Sequence, residues 1–492
     1  MTQERHNPKD VLIIGSGVGG LTAGIILAKL NHRVTIVEKN HLPGGLMRSY
    51  TRLGIDCPVG VHYMGSLDRG QPLRRIWDYL GVTPLIPIER MGMEGVIDRY
   101  IFDDFTFDLP EGIDAFEDNL RRSLPGDNSR ITSIIGDLRH ISRGLCSLDI
   151  LTSPGMTFLS PESFASMGEH LVRMGCSTRL LSVLGVPSTL IGVPLQDCPA
   201  FYYHMTLASY LLSSWRLACN SSHMADAFVA CLKSLGGDVL AGDGVEKILI
   251  KSGKVKGVVL QSGRALDTAV IIGAIHPGTV AAMLPMNAIR DTHAERISQL
   301  ENTKGLFGVN LAIDAGAHAA LPYNIYQLYT EDGVLSRGIF HQLRRSGQTG
   351  TNLLSMITTS GIEKWNKWRQ TASGQRDQDY MEAKEDKARH LIGDASKLFG
   401  RLKGMKILDI YTPLTIRDWV NSPDGSAYGI LRSTRQVMKT AFLKRNLIEG
   451  LFLAGQNSLA PGIMGTMLGS FQTVRNIIGH ERFSREVMGD FL

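Results

Sequence analysis

The pattern of apolar and polar positions at the start of the chain predicts a strand, a helix and a second strand. Val11-Leu-Ile-Ile14 is a short apolar run of the kind that forms a buried strand. Glycines follow this run, and apolar residues then recur at helical spacing to about Leu30. Val34-Thr-Ile-Val-Glu38 has the composition of a second strand. The N-terminal segment is therefore predicted to be a βαβ unit.

Further along the chain the pattern alternates between helices and short strands. Residues from about 110 to 215 favour helices that prolines interrupt. A helix is predicted over residues 224–235, where a Gly-Gly pair ends it. Three short strands are predicted over residues 245–250, 255–260 and 269–272.

The second half of the chain predicts another sheet and two helical regions. Residues 304–360 alternate between apolar and polar side chains, which is typical of strands. Residues 361–400 form a polar helical region, and the last helix is predicted over about residues 462–478. The pattern thus divides the chain between a Rossmann-like part and a second sheet with helices.

The strongest chemical motif is Gly15-Ser-Gly17-Val-Gly19-Gly20, which lies between the first strand and its helix. In a G-x-G-x-x-G motif the first glycine allows the tight turn, the second lets the backbone approach a pyrophosphate, and the third lets helix and strand pack closely. Glu38 ends the second strand, where a carboxylate can accept hydrogen bonds from a ribose hydroxyl. The motif predicts a dinucleotide site and leaves NAD and FAD open.

A second glycine-rich turn lies near the C-terminus. An apolar strand leads to Gly455 and Gln456, and Gly465 follows in the loop that begins the last helix. A helix N-terminus offers N–H groups to phosphates, and glycine lets the backbone approach a flat ring. This turn is predicted to contact the same cofactor.

Composition narrows the class of protein. The 492 residues are 43% hydrophobic and 20% charged, as in a globular protein of two or three domains. A net charge of +5 is too small for this length to argue for nucleic-acid binding. The six cysteines show no metal-ligand spacing, so we expect reduced thiols in a cytoplasmic protein and no metal.

Motifs spread over the whole chain resemble those of the phytoene desaturase family of FAD-dependent oxidoreductases, nearest its retinol saturase and carotenoid isomerase branch. The stretches that carry this resemblance are Val11 to Gly45, Gly60-Val-His62-Tyr63-Met-Gly65, Tyr411-Thr-Pro-Leu-Thr415 with Gly425-Ser-Ala-Tyr428-Gly, and Gly450 to Gly479. The chain departs from the family pattern at Cys57-Pro58 and at Cys219-Asn220, and Gln456 stands where many relatives have an acid. These departures bear on the substrate more than on the cofactor.

The resemblance implies an α/β fold: a Rossmann-like FAD-binding domain of the two-dinucleotide-binding-domain flavoprotein type, with an inserted α+β substrate domain. The expected FAD-binding domain comprises residues 1–95, 216–290 and 441–492. The substrate domain comprises a helical part, residues 96–215, and a part with a sheet and helices, residues 291–440.

The resemblance also assigns residues to the cofactor. A second glycine pair after Pro43 is expected beside the phosphates, and a middle strand is expected to offer its main chain to the adenine. The cofactor-binding residues so predicted are Gly15, Gly17, Gly19, Gly20, Glu38, Lys39, Gly44, Gly45, Val245, Gly455, Gln456, Gly465 and Met467.

The implied reaction is a redox change, desaturation or saturation, at a carbon–carbon double bond of a hydrophobic isoprenoid or polyene substrate. A redox-neutral cis–trans isomerisation on reduced flavin, an amine oxidase-like reaction and a non-catalytic prenyl-lipid carrier stay open as alternatives. The sequence has no second G-x-G-x-x-G for NAD(P)H, so the electron donor or acceptor is not identified.

Candidate working residues follow from the same resemblance. His62 and Tyr63 are the candidate catalytic residues, with His62 able to exchange a proton near neutral pH. The alternative for His62 is a core histidine that positions its loop. The candidate substrate pocket contains Tyr202, Tyr203, His204, Tyr411 and Tyr428, for which core packing is the alternative.

Two tryptophans raise the question of a membrane contact. Trp365 and Trp368 are three residues apart in a basic helical segment. This spacing fits a face that lies on a membrane where a lipid substrate enters, or tryptophans packed beneath a solvated helix. The expected localisation is therefore cytoplasmic, with peripheral membrane association as one alternative.

Overall fold

The structure, a computed structural model, describes residues 9–152, 160–331, 334–444 and 448–491. Within these ranges the strands form a five-stranded parallel sheet, a seven-stranded sheet and smaller sheets of two and three strands.

The parallel sheet is built from strands that are far apart in the sequence. In spatial order they are β10 (Asp238–Ala241), β2 (Arg33–Glu38), β1 (Asp10–Ile14), β14 (Val270–Gly273) and β20 (Leu451–Leu453). All the pairings between them are parallel. β1 is buried from its second residue to its end, because a strand inside a parallel sheet is covered on both faces.

Side chains of β1 alternate between two cores. Val11 and Ile13 belong to the core that contains α1 (Val18–Lys29), which packs against α9 (Ser222–Ser234) and α14 (Gly462–Ile478). Leu12 and Ile14 pack instead with β11 (Val245–Lys251) and β12 (Lys254–Leu260), which form a small antiparallel sheet with β13 (Ala265–Asp267). The parallel sheet is thus covered by helices on one face and by a second sheet on the other.

The large sheet has the order β19 (Lys406–Tyr411), β15 (Gly305–Asp314), β18 (Thr351–Ser360), β17 (Val334–Arg345), β16 (Asn324–Glu331), β7 (Asp98–Ile101) and β8 (Thr106–Leu109). Its pairings are antiparallel except that of β16 with β7, which is parallel and places Asn324 opposite Asp98. Leu391 of α12 (Gln378–Phe399) packs with Leu354 and other residues of this sheet.

Helices that follow β8 along the chain form a third part of the fold. They are α3 (Ile113–Ser123), α4 (Asn128–Cys146), α5 (Asp149–Thr152), α6 (Met167–Arg173), α7 (Thr178–Thr189) and α8 (Ala200–Leu212). The remaining strands are β3 (Ser49–Arg52), β4 (Ile55–Pro58), β5 (Met64–Gly65), β6 (Ile88–Arg90) and β9 (Ser214–Leu217). The remaining helices are α2 (Pro72–Leu80), α10 (Pro277–Ala282), α11 (Asp291–Ser298), α13 (Pro413–Val420) and α15 (His480–Glu486).

Several sequence predictions agree closely with these elements. The N-terminal βαβ unit is present, the strands between residues 304 and 360 form the large sheet, and the last helix runs from Gly462 to Ile478 as predicted. β7 and β8 were not predicted, because short strands with charged residues carry a weak pattern of apolar and polar positions. Residues 361–400 are also interrupted, since a 3-10 helix over Ile362–Trp368 precedes α12.

The membrane-facing interpretation of the two tryptophans is wrong. Trp365 is 2% exposed and Trp368 is 8% exposed, and both pack edge-on against Tyr380. The indole of Trp365 donates to Ser360 Oγ, and that of Trp368 donates to Asp377. These tryptophans form part of the core beneath the large sheet. No helix in the described ranges is long and apolar enough to cross a membrane.

Candidate functional site

A continuous cavity of about 1650 Å³ connects the glycine turns of the parallel sheet with the large sheet. Its walls include side chains of α7, α8, β16 and β17, among them Leu181, Tyr210, Tyr326 and Phe340. Single small-molecule pockets usually measure about 300–1,000 Å³. This cavity therefore has room for more than one small molecule.

The first glycine turn lies at one side of the cavity. Gly17 precedes α1, a Cβ at Gly17 would meet no atom within 4 Å, and the first turn of α1 contains no acidic residue. The N-terminus of α1 thus points its N–H groups and its partial positive charge into open space, as a phosphate-binding helix requires. Gly20 is required for packing within the turn, because a Cβ there would lie 2.0 Å from the carbonyl oxygen of Gly15.

The second glycine pair returns to the first, as the sequence analysis expects. A Cβ on Gly45 would lie 3.1 Å from the Cα of Gly17. Ser16, which the sequence analysis did not single out, joins the two turns: its hydroxyl donates to Glu38 Oε2 at 2.6 Å and accepts from the N–H of Gly44 at 3.0 Å. Its backbone N–H also donates to Glu38 at 3.0 Å. Glu38 therefore holds the phosphate turn in place in addition to lining the cavity.

The C-terminal glycine turn closes against the same helix. A Cβ on Gly19 would lie 2.7 Å from the Cα of Gly455, so the two turns can meet only with glycine at position 19. Gly455 has a φ of 84°, which favours glycine at that position as well. Ser470 of α14 donates to the carbonyl oxygen of Gly19 at 2.8 Å. Gly455, Gln456 and the loop through Gly465 line the cavity on this side.

A buried arginine fastens the C-terminal turn. The Arg432 guanidinium donates to the carbonyl oxygens of Gln456 at 3.3 Å and Asn457 at 2.5 Å, and to Thr440 Oγ1 at 2.7 Å. Arg432 is 2% exposed and has no ion-pair partner among the residues that the structure describes, and burial lowers its pKa. Its charge is stabilised by carbonyl dipoles, and its hydrogen bonds help to hold the turn at Gln456.

The outer end of the cavity carries polar groups. Lys39, Gln261 and the start of β11 at Val245 line it, next to Glu38. Burial lowers the pKa of Lys39, and its ammonium group donates to the carbonyl oxygen of Asp418 at 3.2 Å. This end offers hydrogen-bond donors and acceptors to a ligand.

The structure brings most of the predicted residues to the cavity. The predicted cofactor residues in its wall are Gly15, Gly17, Gly19, Glu38, Lys39, Gly45, Val245, Gly455, Gln456 and Gly465. The other predicted residues in its wall are His62, Tyr63, Tyr202, Tyr411 and Tyr428. Their roles in binding or catalysis stay predictions.

Five predicted residues lie outside the cavity wall. Gly20 and Gly44 pack against Gly15 and Ala225 instead. Met467, on α14, belongs to the main core. Tyr203 and His204 point into the protein from α8, and burial lowers the pKa of His204 to about 4. The prediction that Tyr203 and His204 line the substrate pocket is wrong, because one face of α8 can meet the cavity and the other must pack against α4.

His62 lies in the cavity wall but is not an acid near neutral pH. Burial lowers its pKa to about 4, and the nearby Arg344 guanidinium acts in the same direction. Its ring is therefore neutral at pH 7, contrary to the sequence expectation. Nδ1 of His62 is buried and has no hydrogen-bond partner among the described residues. A neutral ring with an unsatisfied nitrogen in a cavity wall is suited to hydrogen-bonding a ligand.

Tyr63 belongs to a buried hydrogen-bond chain that sequence reasoning missed. Its hydroxyl donates to Asp98 Oδ2 at 2.9 Å and lies 2.8 Å from the hydroxyl of Tyr326. Asn324 Nδ2 donates to Asp98 Oδ1 at 2.8 Å, and Gln342 Nε2 donates to Asn324 Oδ1 at 3.0 Å. Tyr63 and Tyr326 line the cavity, and Asp98 lies behind them at 1% exposure.

Aromatic and aliphatic side chains surround these phenols. The ring of Tyr63 lies 4.7 Å from that of Tyr210 and is parallel to that of Phe340. Further apolar side chains in this part of the wall are Leu181, Leu190, Leu328, Leu335 and Ile357. The cavity thus has a polar end at the glycine turns and an apolar end around Tyr63 and Tyr326.

Known proteins are similar to this chain in part or over most of its length. Residues 13–80 match the family described as NAD(P)-binding Rossmann-like domain. The chain is 24% identical to the all-trans-retinol 13,14-reductase of Macaca fascicularis, over 96% of this chain and 86% of the relative. It is 25% identical to a 4,4'-diapophytoene desaturase of Methylomonas sp, over 63% and 62% of the two chains. It is also 25% identical to prolycopene isomerase 1 of an Oncidium hybrid cultivar, over 93% and 81%.

The chain is similar to members of the phytoene desaturase family. The resemblance that the motifs indicate is confirmed by these relatives, which match over most of the chain and are named for chemistry at polyene double bonds. The Rossmann-like family description covers the N-terminal βαβ unit of this chain.

Solved structures confirm the predicted fold class. An oxidoreductase from Methanosarcina mazei superposes with a TM-score of 0.69 at 15% identity, covering 95% of this chain and all of that one. A triple mutant of putrescine oxidase superposes with a TM-score of 0.64 at 12% identity, covering 98% and 99%. At these identities the likeness concerns the fold: a Rossmann-like dinucleotide-binding domain with an inserted α+β part.

Proposed function

We propose that this chain is an FAD-dependent oxidoreductase that acts on a carbon–carbon double bond of a hydrophobic isoprenoid or polyene substrate. The observation that carries the proposal is the continuity of the cavity, which joins three glycine turns suited to a dinucleotide with an apolar chamber beside the large sheet. The relatives named as a retinol reductase and a diapophytoene desaturase support this substrate class.

The residues of the polar end fit FAD. The N-terminus of α1 at Gly17 would hold the pyrophosphate, and Glu38 and Lys39 would meet the ribose end. Gly45 and Gly455 would let the backbone approach the cofactor closely. When bound, FAD would supply hydride transfer to or from a substrate carbon.

The apolar chamber determines what the protein itself does in such a reaction. Leu181, Leu328 and Ile357 would hold an apolar chain by burying it. Tyr63, Tyr326 and the neutral ring of His62 are the polar groups that could orient the reacting part or exchange its proton. These apolar side chains would also exclude water from the reacting carbons.

Two alternatives remain of interest. A redox-neutral cis–trans isomerisation of a polyene would use the same cavity, and the relative named prolycopene isomerase supports it. The aromatic side chains of Tyr63, Tyr210 and Phe340 favour an amine oxidase-like reaction as the second candidate, with the fold of putrescine oxidase in its support. Products separate the three: a saturated or desaturated polyene, an isomerised polyene, or an oxidised amine.

The cofactor part of the proposal has a direct test. Purified protein is stripped of flavin, incubated with FAD, and passed through a desalting column. Retention of about one FAD per chain, with a perturbed flavin absorbance spectrum, supports the proposal. Retention of NAD(P)H instead of FAD, or of neither, would contradict it.

A further inference from the structure

Asp98 is a buried carboxyl group with no cation beside it. It joins no ion pair in the part of the chain that the structure describes. The titratable groups that face it are Tyr63 from the loop before β5, Tyr100 on its own strand, Tyr210 of α8 and Tyr326 of β16, all of them phenols. Burial raises the pKa of Asp98 to about 7, against hydrogen bonds that lower it. Such a group takes up and releases a proton at physiological pH.

The protonation state of Asp98 sets the direction of its hydrogen-bond chain. Each phenol has one hydrogen to donate. When Asp98 is ionised, Tyr63 donates to Asp98 and Tyr326 donates to Tyr63. When Asp98 is protonated, it can donate to Tyr63, and Tyr63 can then donate to Tyr326. The hydroxyl hydrogen of Tyr326 is then free to point away from Tyr63. The cavity then meets a proton donor at Tyr326 instead of an acceptor.

We propose that Asp98, Tyr63 and Tyr326 form a proton relay for the double-bond reaction, with Tyr326 as the catalytic residue that touches the substrate. This relay rests on the proposed function, and it would supply the proton that the double-bond reaction requires. Tyr326 and Tyr63 line the apolar end of the cavity, while Asp98 is shielded behind them.

In saturation, the double bond would be reduced with FADH⁻ as the reductant. One carbon would receive a hydride, which forms a C–H bond as the π bond breaks, and the flavin would be left oxidised. The neighbouring carbon takes the proton of Tyr326 Oη, Tyr326 regains a proton from Tyr63, and Tyr63 regains one from Asp98. Asp98 ends as a carboxylate and is reprotonated from solvent. In desaturation the hydride and the proton move in the opposite directions.

Asp98 is needed because the phenols alone are poor acids. Burial raises the pKa of Tyr63 and of Tyr326 well above the ordinary value for tyrosine. A free tyrosinate in this wall would be strongly disfavoured, so loss of the Tyr326 proton must be accompanied by its replacement along the chain. The carboxyl group of Asp98 supplies that replacement.

The kinetic test uses the FAD-loaded protein and two variants of the relay. In Asp98→Asn the shape and one hydrogen bond are kept but no proton can be supplied, and in Tyr326→Phe the donor is removed. General acid catalysis contributes about 10²–10⁴-fold. We expect the rate at which a polyene substrate reoxidises the reduced flavin to fall by about 10²-fold or more, with unchanged FAD content. Tyr100→Phe is the control, because Tyr100 packs edge-on against Tyr326 without joining the chain.

The pH profile separates a relay from a purely structural role. In the wild type the reoxidation rate should fall as the pH rises through about 7, because the protonated form of Asp98 is the active one. Asp98→Asn should lose this limb of the profile. An Asp98→Asn variant with wild-type rate and profile would overturn the proposal.

A spectroscopic test does not depend on finding the substrate. Infrared difference spectra between pH 5 and pH 9 should show the C=O stretch of one protonated carboxyl group and a coupled shift of the tyrosine C–O bands, both lost in Asp98→Asn. Their absence from the wild type would overturn the relay. If FAD-loaded protein reacts with no polyene but shows both bands, the proposed function has failed while proton exchange along the chain is supported.

Discussion

At the scale of single residues, two glycines of the first turn have different roles, one in ligand binding and one in packing. A side chain on Gly17 would enter open space in the cavity wall, where a phosphate is proposed to bind. A side chain on Gly20 would collide with the carbonyl oxygen of Gly15, which is part of the fold itself. One motif therefore combines a ligand requirement with a packing requirement.

Substitution of Gly17 tests the ligand requirement. We expect Gly17→Ala to fold with little change in melting temperature, because φ at Gly17 is −63° and a Cβ there meets no atom. Its affinity for FAD should fall at least about tenfold, equivalent to about 1.4 kcal/mol. Fluorescence titration of flavin-free protein with FAD measures this loss.

Gly20→Ala is the matched variant, with the opposite pattern. Overpacking of this kind typically costs about 1–3 kcal/mol of unfolding free energy, so the melting temperature should fall even without FAD. If Gly17→Ala lost stability and Gly20→Ala did not, this division of roles would be wrong.

Asp98 should make stability depend on pH. Its pKa rises from 3.8 in the unfolded chain to about 7 in the fold, so the native state keeps a proton that the unfolded state has lost between these values. The free energy of unfolding should then decrease as pH rises through this window, with a contribution of up to about 1.4 kcal/mol per pH unit. Urea unfolding of wild type and Asp98→Asn at several pH values measures the difference, and parallel curves would show that Asp98 is ionised throughout.

At the scale of elements, the loop after β20 depends on a side chain that lies earlier in the sequence. Arg432 bonds the carbonyl oxygens of Gln456 and Asn457, and those carbonyls would lose a buried donor without it. Each buried group left without a partner costs about 1–3 kcal/mol. The cavity wall at Gln456 is thus set by a contact between two loops.

Arg432→Met tests this contact. We expect faster hydrogen exchange in residues 454–460 and a FAD affinity reduced about tenfold or more, while α1 and the large sheet keep their protection. Arg432→Lys keeps the charge without the paired donors and should recover only part of the affinity. Full recovery by lysine would show that the charge, and not the hydrogen bonds, positions the loop.

Local patterns predicted the elements that contain their own signals. The strand–glycine–helix order of residues 10–29 and the run of apolar residues in α14 are written in contiguous sequence, and both were predicted closely. The chain from Tyr63 through Asp98 to Tyr326 was not predictable, because its members are 35 and 263 residues from Tyr63 and meet only through the pairing of β7 with β16. Tyr203 and His204 were assigned wrongly because successive residues on a helix are about 100° apart, so these two do not share the face on which Tyr202 meets the cavity.

At the scale of the whole molecule, the parallel sheet and the cavity are closed by both ends of the chain. β1 and β2 come from the start, β10 and β14 from the middle, and β20 from the end. The Ser470 hydroxyl of α14 donates a hydrogen bond to the Gly19 carbonyl oxygen of α1, which helps to keep the two glycine turns together. The polar end of the cavity is built from the parallel sheet and its loops. The apolar end is built from the large sheet together with α7 and α8.

The most direct test of the account is an anaerobic reoxidation experiment. FAD-loaded protein is reduced, mixed with a panel of polyenes and isoprenoid alkenes, and followed by flavin absorbance with product analysis. We predict that a polyene reoxidises the flavin and is recovered with one double bond saturated. If oxidised flavin is instead reduced by an isoprenoid alkene that is recovered desaturated, the same function is supported in the other direction. If no polyene or alkene changes the flavin absorbance, while amines reduce the oxidised flavin, the account is contradicted.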